Sequence, residues 1–208
     1  MFEDVPSLCP VSFFKLQGTL KHAEQHKNLS RSYLLPDTSD LLNEEPFAAV
    51  SMAWNEKALL CSVKVRKGFD ESHFPNVARG DSVELFIDTR DLKTAGAPTR
   101  FCHHFVFFPH TDFPSQEITR LRAEEERPLA DQNDLIVTAD LQRKSYLLDI
   151  AITRDALFGY DPDNFRRLGF TYRINRFGGD PQHFAISSFE YAIEKHPALW
   201  ASFELISN

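Results

Sequence analysis

The segment Gly80–Asp88 most constrains what this chain can fold into. Apolar residues occupy alternate positions, a two-residue period typical of a strand with one face in a core; they are Val83, Leu85 and Ile87. Glu84 lies between them and therefore points to the opposite face. The segment predicts a strand that offers an apolar face for packing and a carboxylate on its other side.

Similar short segments, separated by turn residues, follow along the chain. Besides 80–88, the predicted strands are 47–54, 58–65, 100–108, 117–122, 135–141, 146–152, 167–176, 184–186 and 202–206. Short helical turns are expected near 38–43 and 153–158. Many short strands with frequent turns are typical of a sandwich. We predict an all-β fold, an antiparallel, jelly-roll-like β-sandwich over residues 46–208, with residues 1–45 as an N-terminal extension packed on it.

Charge and hydropathy exclude several kinds of partner. The 208 residues carry a net charge of −7, which argues against general binding to nucleic acid or to an anionic membrane. No apolar run approaches the length of a membrane span. The acidic start of the chain lacks the basic and apolar regions of a signal peptide. We therefore expect a cytoplasmic protein without a nucleic-acid or membrane partner.

The three cysteines, Cys9, Cys61 and Cys102, are far apart and form no Cys-x-x-Cys motif. Without an export signal, free buried thiols are the expected state. A disulfide between Cys61 and Cys102 is the alternative, because both lie in predicted strands.

Six motifs follow one another in a recognisable order. They are Val50–Leu60 with Trp54, the Asp-Ser-Val-Glu strand Gly80–Asp88, His104–Val106, Tyr146–Ile152, Leu168–Asn175 and Pro197–Leu205. This ordered set resembles the family-9 carbohydrate-binding modules and the wider DOMON-like sandwiches. The resemblance implies a β-sandwich that binds sugar without catalysis.

The resemblance also implies where a sugar would bind, and there the sequence departs from the family. Sugar-binding members clamp a terminal sugar between two tryptophans, and the matching positions here are Ala78 and Glu194. The strand carboxylate is kept as Glu84, Val106 replaces a polar partner, and Trp200 matches a packing aromatic. The usual tryptophan clamp is therefore missing. The preceding loop, with Phe69 and Phe74, could replace the clamp or plug the site.

Strand parity gives a candidate site independently of the resemblance. If the apolar residues of each strand face the core, a set of polar side chains shares the opposite surface. The candidate ligand-binding residues are Glu84, His104, Asp149, Arg173 and Asn175, with Thr171 beside them. The alternative is a solvated or self-paired sheet face, since surface ion pairs are common. The charged turn 124–128 is expected to be solvated surface.

Metal and haem sites have weaker support. His103 and His104 are adjacent on a strand, so they point to opposite faces and cannot chelate one ion together. One of them with His183 and a carboxylate could form a zinc site, and His110 is a further histidine nearby. DOMON-like domains can bind haem through a Met and a His, which here would be Met52 and His104, although a core Met is the simpler reading.

Two acidic loops, 88–91 and 161–164, could ligate a structural calcium ion, as in the resembled modules, or could simply cap turns. Apart from this calcium option we predict no cofactor.

Nucleophilic catalysis has little support, because the chain has no Gly-x-Ser-x-Gly motif and no phosphate-binding glycine loop. We predict that the protein is not an enzyme but a binding module for a carbohydrate or another small polar ligand. The alternative is a structural or protein-interaction domain whose sheet face docks on a partner.

Overall fold

The computed structural model describes residues 15–24, 27 and 29–207. These residues contain eleven strands and one short α-helix, α1 (Ser39–Leu42). The strands are β1 (Gln17–His22), β2 (Ala48–Asn55), β3 (Ala58–Val65), β4 (Ser82–Asp88), β5 (Cys102–Phe107), β6 (Gln116–Glu117), β7 (Leu135–Gln142), β8 (Ser145–Thr153), β9 (Arg167–Asn175), β10 (Gln182–His183) and β11 (Ala201–Ile206). The all-β prediction is confirmed.

All eleven strands belong to one sheet. Its order is β6-β5-β4-β9-β11-β1-β2-β3-β8-β7, and β10 pairs with the free end of β9. The pairs are antiparallel except for the two made by β1, which runs parallel to β11 and to β2. The sheet is therefore mixed, with β1 joining a half that contains β4, β5 and β9 to a half that contains β2, β3 and β8.

The two halves pack their apolar faces on one core. Alternate residues of β4, β5 and β9 meet those of β2, β3 and β8 in a single buried cluster. Aromatic rings fill the middle of this core: Phe184 lies 5.5 Å from Tyr172 and 5.9 Å from Phe203, between ring centroids. Such pairs contribute through apolar burial and ring electrostatics.

Strand β1 lies within the segment expected to form an N-terminal extension. Of its six residues only Leu20 is buried. The neighbouring strands hold it in place: Trp54 Nε1 donates hydrogen bonds to Leu20 O at 2.9 Å and to Ile206 O at 3.1 Å. Gly18 lies against Phe203, and a Cβ at Gly18 would be 2.6 Å from the Phe203 ring.

The two described cysteines are free and buried. Cys61 lies in the core, whereas Cys102 lies on the outer face of β5, so a disulfide between them is not formed. Burial raises the pKa of both thiols, that of Cys102 to about 12. Cys9 lies outside the described residues. Among those residues, no helix has the length and apolar character that crossing a membrane would require.

Candidate functional site

Strand β4 forms the middle of the candidate site, between β5 and β9. Val83, Leu85 and Ile87 point into the core, so Glu84 points outward as parity predicts. Glu84 pairs with Arg173 of β9, and the neighbouring position Phe86 pairs with His104 of β5. The sheet therefore brings together four of the five predicted residues, Glu84, His104, Arg173 and Asn175.

The Glu84 carboxylate is fully buried and accepts four hydrogen bonds. Oε1 accepts from Arg173 Nε at 2.7 Å and from Asn175 Nδ2 at 2.7 Å. Oε2 accepts from Arg173 Nη2 at 2.8 Å and lies 2.7 Å from His104 Nε2. A carboxylate has about four lone-pair directions, so these neighbours use all of them.

These contacts keep both Glu84 and Arg173 charged. Burial opposes ionisation of Glu84, but hydrogen bonds from His104 and Arg173 outweigh it and lower its pKa to about 2. The Arg173 pKa is raised: burial opposes its charge, but the hydrogen bond and charge of Glu84 prevail. Glu84 and Arg173 therefore form an ion pair with two parallel hydrogen bonds, the strongest geometry for this combination.

The same contacts leave two nitrogen atoms unused. An ionised carboxylate can only accept, so the His104 Nε2–H donates a hydrogen bond to Glu84, and in the neutral ring Nδ1 keeps a free lone pair. Within the described residues, neither His104 Nδ1 nor Arg173 Nη1 has a hydrogen-bond partner. The side chains of His104 and Arg173 are 13% and 17% exposed, whereas that of Glu84 is 0% exposed. Glu84 thus orients two groups that reach solvent without reaching it itself.

Aromatic rings support this surface from below. The His104 ring stacks on buried Phe86 with centroids 4.1 Å apart, and Phe86 contacts Trp200 at 5.9 Å. Trp200 is 3% exposed, and its Nε1 donates to Ile193 O at 3.0 Å. Trp200 therefore acts mainly as a packing residue, in agreement with the position it was matched to.

An open cleft of about 700 Å³ lies over these residues. We call it the Glu84 cleft; it is lined by Phe74, Pro75, Val77, Glu84, Phe86, 96–98, 102–104, 118–122, Arg173, 194–196 and Trp200. Its floor is the outer face of β5, β4 and β9. The segment after β6 forms one wall and the segment before β11 forms the other, since β6 and β11 flank this part of the sheet.

The wall 118–122 is fastened to β5. Ile118 N donates to His104 O at 2.7 Å, and His104 N donates to Thr119 Oγ1 at 2.8 Å. The sequence predicted a strand over 117–122. In the structure the strand that pairs with β5 here is Gln116–Glu117, so Glu117 is the one residue of the predicted segment within it. The remaining residues turn out of the sheet and line the cleft.

A buried ion pair anchors the same wall. Arg127 donates to Glu117 at 2.6 Å and 3.0 Å, and His103 Nδ1 lies 3.0 Å from Glu117. Burial opposes ionisation of Glu117, but His103 and Arg127 lower its pKa to about 2; burial lowers the pKa of His103. Arg127 has a side chain only 5% exposed, so the prediction of a solvated turn at 124–128 is wrong at this residue. Sequence reasoning missed this pair, because an arginine within an acidic turn carries no sign of burial.

The structure separates Asp149 from the other four predicted residues. Asp149 lies on β8, in the other half of the sheet, between Ser62 of β3 and Thr138 of β7. Ser62 Oγ donates a short hydrogen bond to it. Thr171 lies on the expected face, but its hydroxyl donates to Phe184 O beneath the surface.

The positions matched to the tryptophan clamp differ in placement. Glu194 lines the Glu84 cleft, whereas Ala78 lines a separate depression with Arg176 and Phe177. Of the two loop phenylalanines, Phe74 lines the cleft and is 40% exposed. Phe69 instead stacks on His110 at 5.8 Å and packs against the core.

The histidines considered for zinc are dispersed. His103 contacts Glu117, His104 contacts Glu84, His110 contacts Asp112 and His183 contacts Glu44. No group of three or more potential ligands within the described residues is arranged to hold a metal ion.

The haem pair is also separated, because Met52 is buried in the core and His104 faces the cleft.

The acidic loops use their carboxylates as turn caps. Asp88 accepts hydrogen bonds from the backbone of Arg90 and Leu92 at 2.9 Å and 2.7 Å. Asp161 accepts from the Asn164 side chain at 2.8 Å. Structural calcium at these loops stays a prediction.

Comparison with solved structures identifies the fold as that of a family-9 carbohydrate-binding module. A family-9 carbohydrate-binding module from Caldicellulosiruptor kristjanssonii in complex with cellotriose superposes with a TM-score of 0.66 at 14% identity, covering 92% of this chain and 94% of that one. The same organism's module in complex with glucose gives 0.65 at 14% identity, covering 94% and 97%. A Bacteroides uniformis structure gives 0.55 at 12% identity, covering 92% and 99%. The sequence matches no protein-family model and no curated protein.

Proposed function

We propose that this protein is a non-catalytic carbohydrate-binding module and that the Glu84 cleft holds the saccharide. The observation that carries the proposal is the pair of unused nitrogens at the cleft floor, Arg173 Nη1 and His104 Nδ1. Both are held in fixed orientation by one buried carboxylate. Ligand sites commonly combine a few oriented polar groups with apolar walls, and here Phe74, Pro75 and Leu121 supply apolar surface.

Saccharide rings suit such a site because they have apolar C–H faces and polar edges. An exposed aromatic ring can cover the face while the floor groups meet ring hydroxyls. Phe74 is the exposed aromatic side chain at this cleft, since Trp200 is buried. We therefore propose that Phe74 replaces one member of the tryptophan clamp. The similar solved structures, which hold cellotriose and glucose, are consistent with this class of ligand.

The state of the carboxylates favours binding over hydrolysis. Glycosidases use two carboxyl groups, one of them protonated at working pH to act as a general acid. Glu84 has a pKa of about 2 because His104 and Arg173 outweigh its burial, so it stays ionised and cannot donate a proton. The cleft lining offers one other carboxylate, Glu194.

The proposal can be tested by calorimetric titration with cello-oligosaccharides, glucose and a wider saccharide panel. We expect saturable binding that His104→Ala weakens by about tenfold, through loss of one oriented polar contact. His110→Ala is the matched control, since His110 is 44% exposed and does not line the cleft. Absence of heat with every saccharide, for a protein shown to be folded, would overturn the proposal.

The alternative of a sheet face that docks on a protein partner stays a prediction. The Glu84 face is recessed between two walls, which suits a small ligand better than a flat protein surface.

A further inference from the structure

The Glu84 cleft is basic although the protein is acidic. Its lining contains four cationic side chains, Arg120, Arg122, Arg173 and Lys195, against two carboxylates, Glu84 and Glu194. With histidines neutral this leaves a formal charge of +2, in a chain whose net charge is −7. Charges of one sign in a cleft with low-dielectric walls concentrate the field that a ligand meets.

These cations come from both walls. Arg120 and Arg122 belong to the wall that follows β6, and Lys195 belongs to the wall that precedes β11. All three are exposed, and within the described part of the chain no carboxylate forms an ion pair with any of them. Their charges are therefore available to a group that enters between the walls.

At the floor of the cleft the Glu84 carboxylate offers a ligand no acceptor, and the free acceptor there is Nδ1 of the neutral His104 ring. All four acceptor positions of Glu84 are used by Arg173, Asn175 and His104. Arg173 Nη1 is left as a donor that faces the cleft. A neutral sugar offers hydroxyls that need acceptors as well as donors, whereas a carboxylate offers acceptors only and is matched well by arginine.

We propose that the saccharide bound in the Glu84 cleft carries a carboxylate, so that the ligands are uronic acids rather than neutral sugars. This inference rests on the proposed carbohydrate-binding function and adds the ligand's charge to it. The sugar ring lies against Phe74, and its carboxylate lies between the cationic side chains of the two walls.

The decisive comparison uses pairs of sugars that differ only at C6. Glucose and glucuronate, and likewise galactose and galacturonate, are titrated in parallel at about 20 mM salt, where charges are weakly screened. We expect the uronate to bind at least about tenfold more tightly than its neutral partner. The preference should shrink several-fold at about 0.5 M salt, where screening acts within a few ångströms.

Single substitutions on each wall test which cationic side chains bind the carboxylate. Arg122→Gln and Lys195→Gln each remove one cation from opposite walls, and each should weaken uronate binding by about threefold, more than it weakens glucose binding. Lys144→Gln is the matched control, because Lys144 is exposed in the turn between β7 and β8 and does not line the cleft. Glucose 6-sulfate distinguishes the carboxylate from anionic charge in general, and weaker binding than glucuronate supports the assignment.

The outcomes separate the two proposals. The uronic acid assignment is overturned if glucose binds as tightly as glucuronate or more tightly, or if glucose 6-sulfate does so. Either result leaves carbohydrate binding standing. Failure of every neutral and acidic saccharide to bind overturns both.

Discussion

Glu84 and Arg173 face each other across β4 and β9, and Nε and Nη2 of the guanidinium bond to the two carboxylate oxygens at 2.7 and 2.8 Å. The carboxylate is fully buried, and the arginine keeps one edge at the cleft. We therefore propose that Glu84 contributes to ligand binding through the groups that it orients. The sequence predicted Glu84 itself as a ligand-binding residue, and this proposal assigns the direct contact to Arg173 and His104.

The first prediction concerns the removal of Arg173. Arg173→Gln leaves a buried carboxylate without its main partner, so we expect the free energy of unfolding to fall by about 3 kcal/mol. The double variant Glu84→Gln/Arg173→Gln should be less destabilised, because no uncompensated charge is left. Urea unfolding at neutral pH measures both.

Arg176→Gln is the control for an ion pair near solvent. Arg176 pairs with Glu45 at 3.0 Å, and Glu45 is 74% exposed, so we expect a loss below about 1 kcal/mol. If the Arg173 single variant and the double variant are equally stable, the buried Glu84 carboxylate does not depend on Arg173 for its stability, which contradicts the prediction.

The second prediction concerns the stability of the fold at acidic pH. The pKa of Glu84 is about 2 in the folded protein against an ordinary value of 4.5, since hydrogen bonds from His104 and Arg173 outweigh burial. A depressed folded-state pKa stabilises the fold above the unfolded-state value, and this contribution is lost as pH falls from about 4.5 towards 2. It amounts to on the order of 3 kcal/mol at neutral pH.

Glu117 behaves in the same way, because His103 and Arg127 lower its pKa to about 2 against burial. The free energy of unfolding, measured by urea at several pH values, should therefore drop steeply below about pH 4.5. Glu84→Gln and Glu117→Gln should each make this drop shallower. A drop of unchanged steepness in both variants would count against the two buried carboxylates as its source.

The third prediction concerns Phe74. Its ring is 40% exposed at the cleft, so Phe74→Ala should leave folding unchanged and weaken saccharide binding about fivefold to tenfold. Phe189→Ala is the control, since Phe189 is 68% exposed and lines a different groove. Calorimetric titration measures both variants, and equal losses of affinity would argue against a stacking role for Phe74.

The fourth prediction concerns the packing of β1. A Cβ at Gly18 would lie 2.6 Å from the ring of Phe203, which packs against Phe170 and Phe184 and is 1% exposed. Gly18→Ala should therefore lower the free energy of unfolding by about 2 kcal/mol. Gly96→Ala, where an added Cβ meets open space, should change it little. Unchanged stability in Gly18→Ala would show that β1 can move away from the core at no cost.

Local patterns in the sequence predicted the strands that alternate clearly. The predicted strand 58–65 matches β3, and 135–141 and 146–152 match β7 and β8 to within a residue at each end. Strand β1 could not be recognised, because Leu20 is its only buried residue and its place depends on Trp54 and Phe203. The predicted strand 184–186 lies instead at Gln182–His183.

Local patterns in the sequence also predicted the candidate site only in part. Parity predicts which face of a strand a residue occupies, and it placed Glu84, His104, Arg173 and Asn175 correctly. Parity does not say which half of the sheet a strand joins, so it could not separate Asp149 from them. Arg127 is buried through its contacts with Glu117, which no local sequence pattern indicates.

The most direct test of the central claim, that the Glu84 cleft binds a saccharide, is an NMR titration that follows individual residues. We predict saturable shifts of the Arg173 Nε–H and the His104 imidazole, with those of Ser62 and Asp149 on the other half of the sheet unchanged. Saccharide-induced shifts at Ser62 and Asp149 with none at Arg173 and His104, or no shifts with any saccharide, would contradict it.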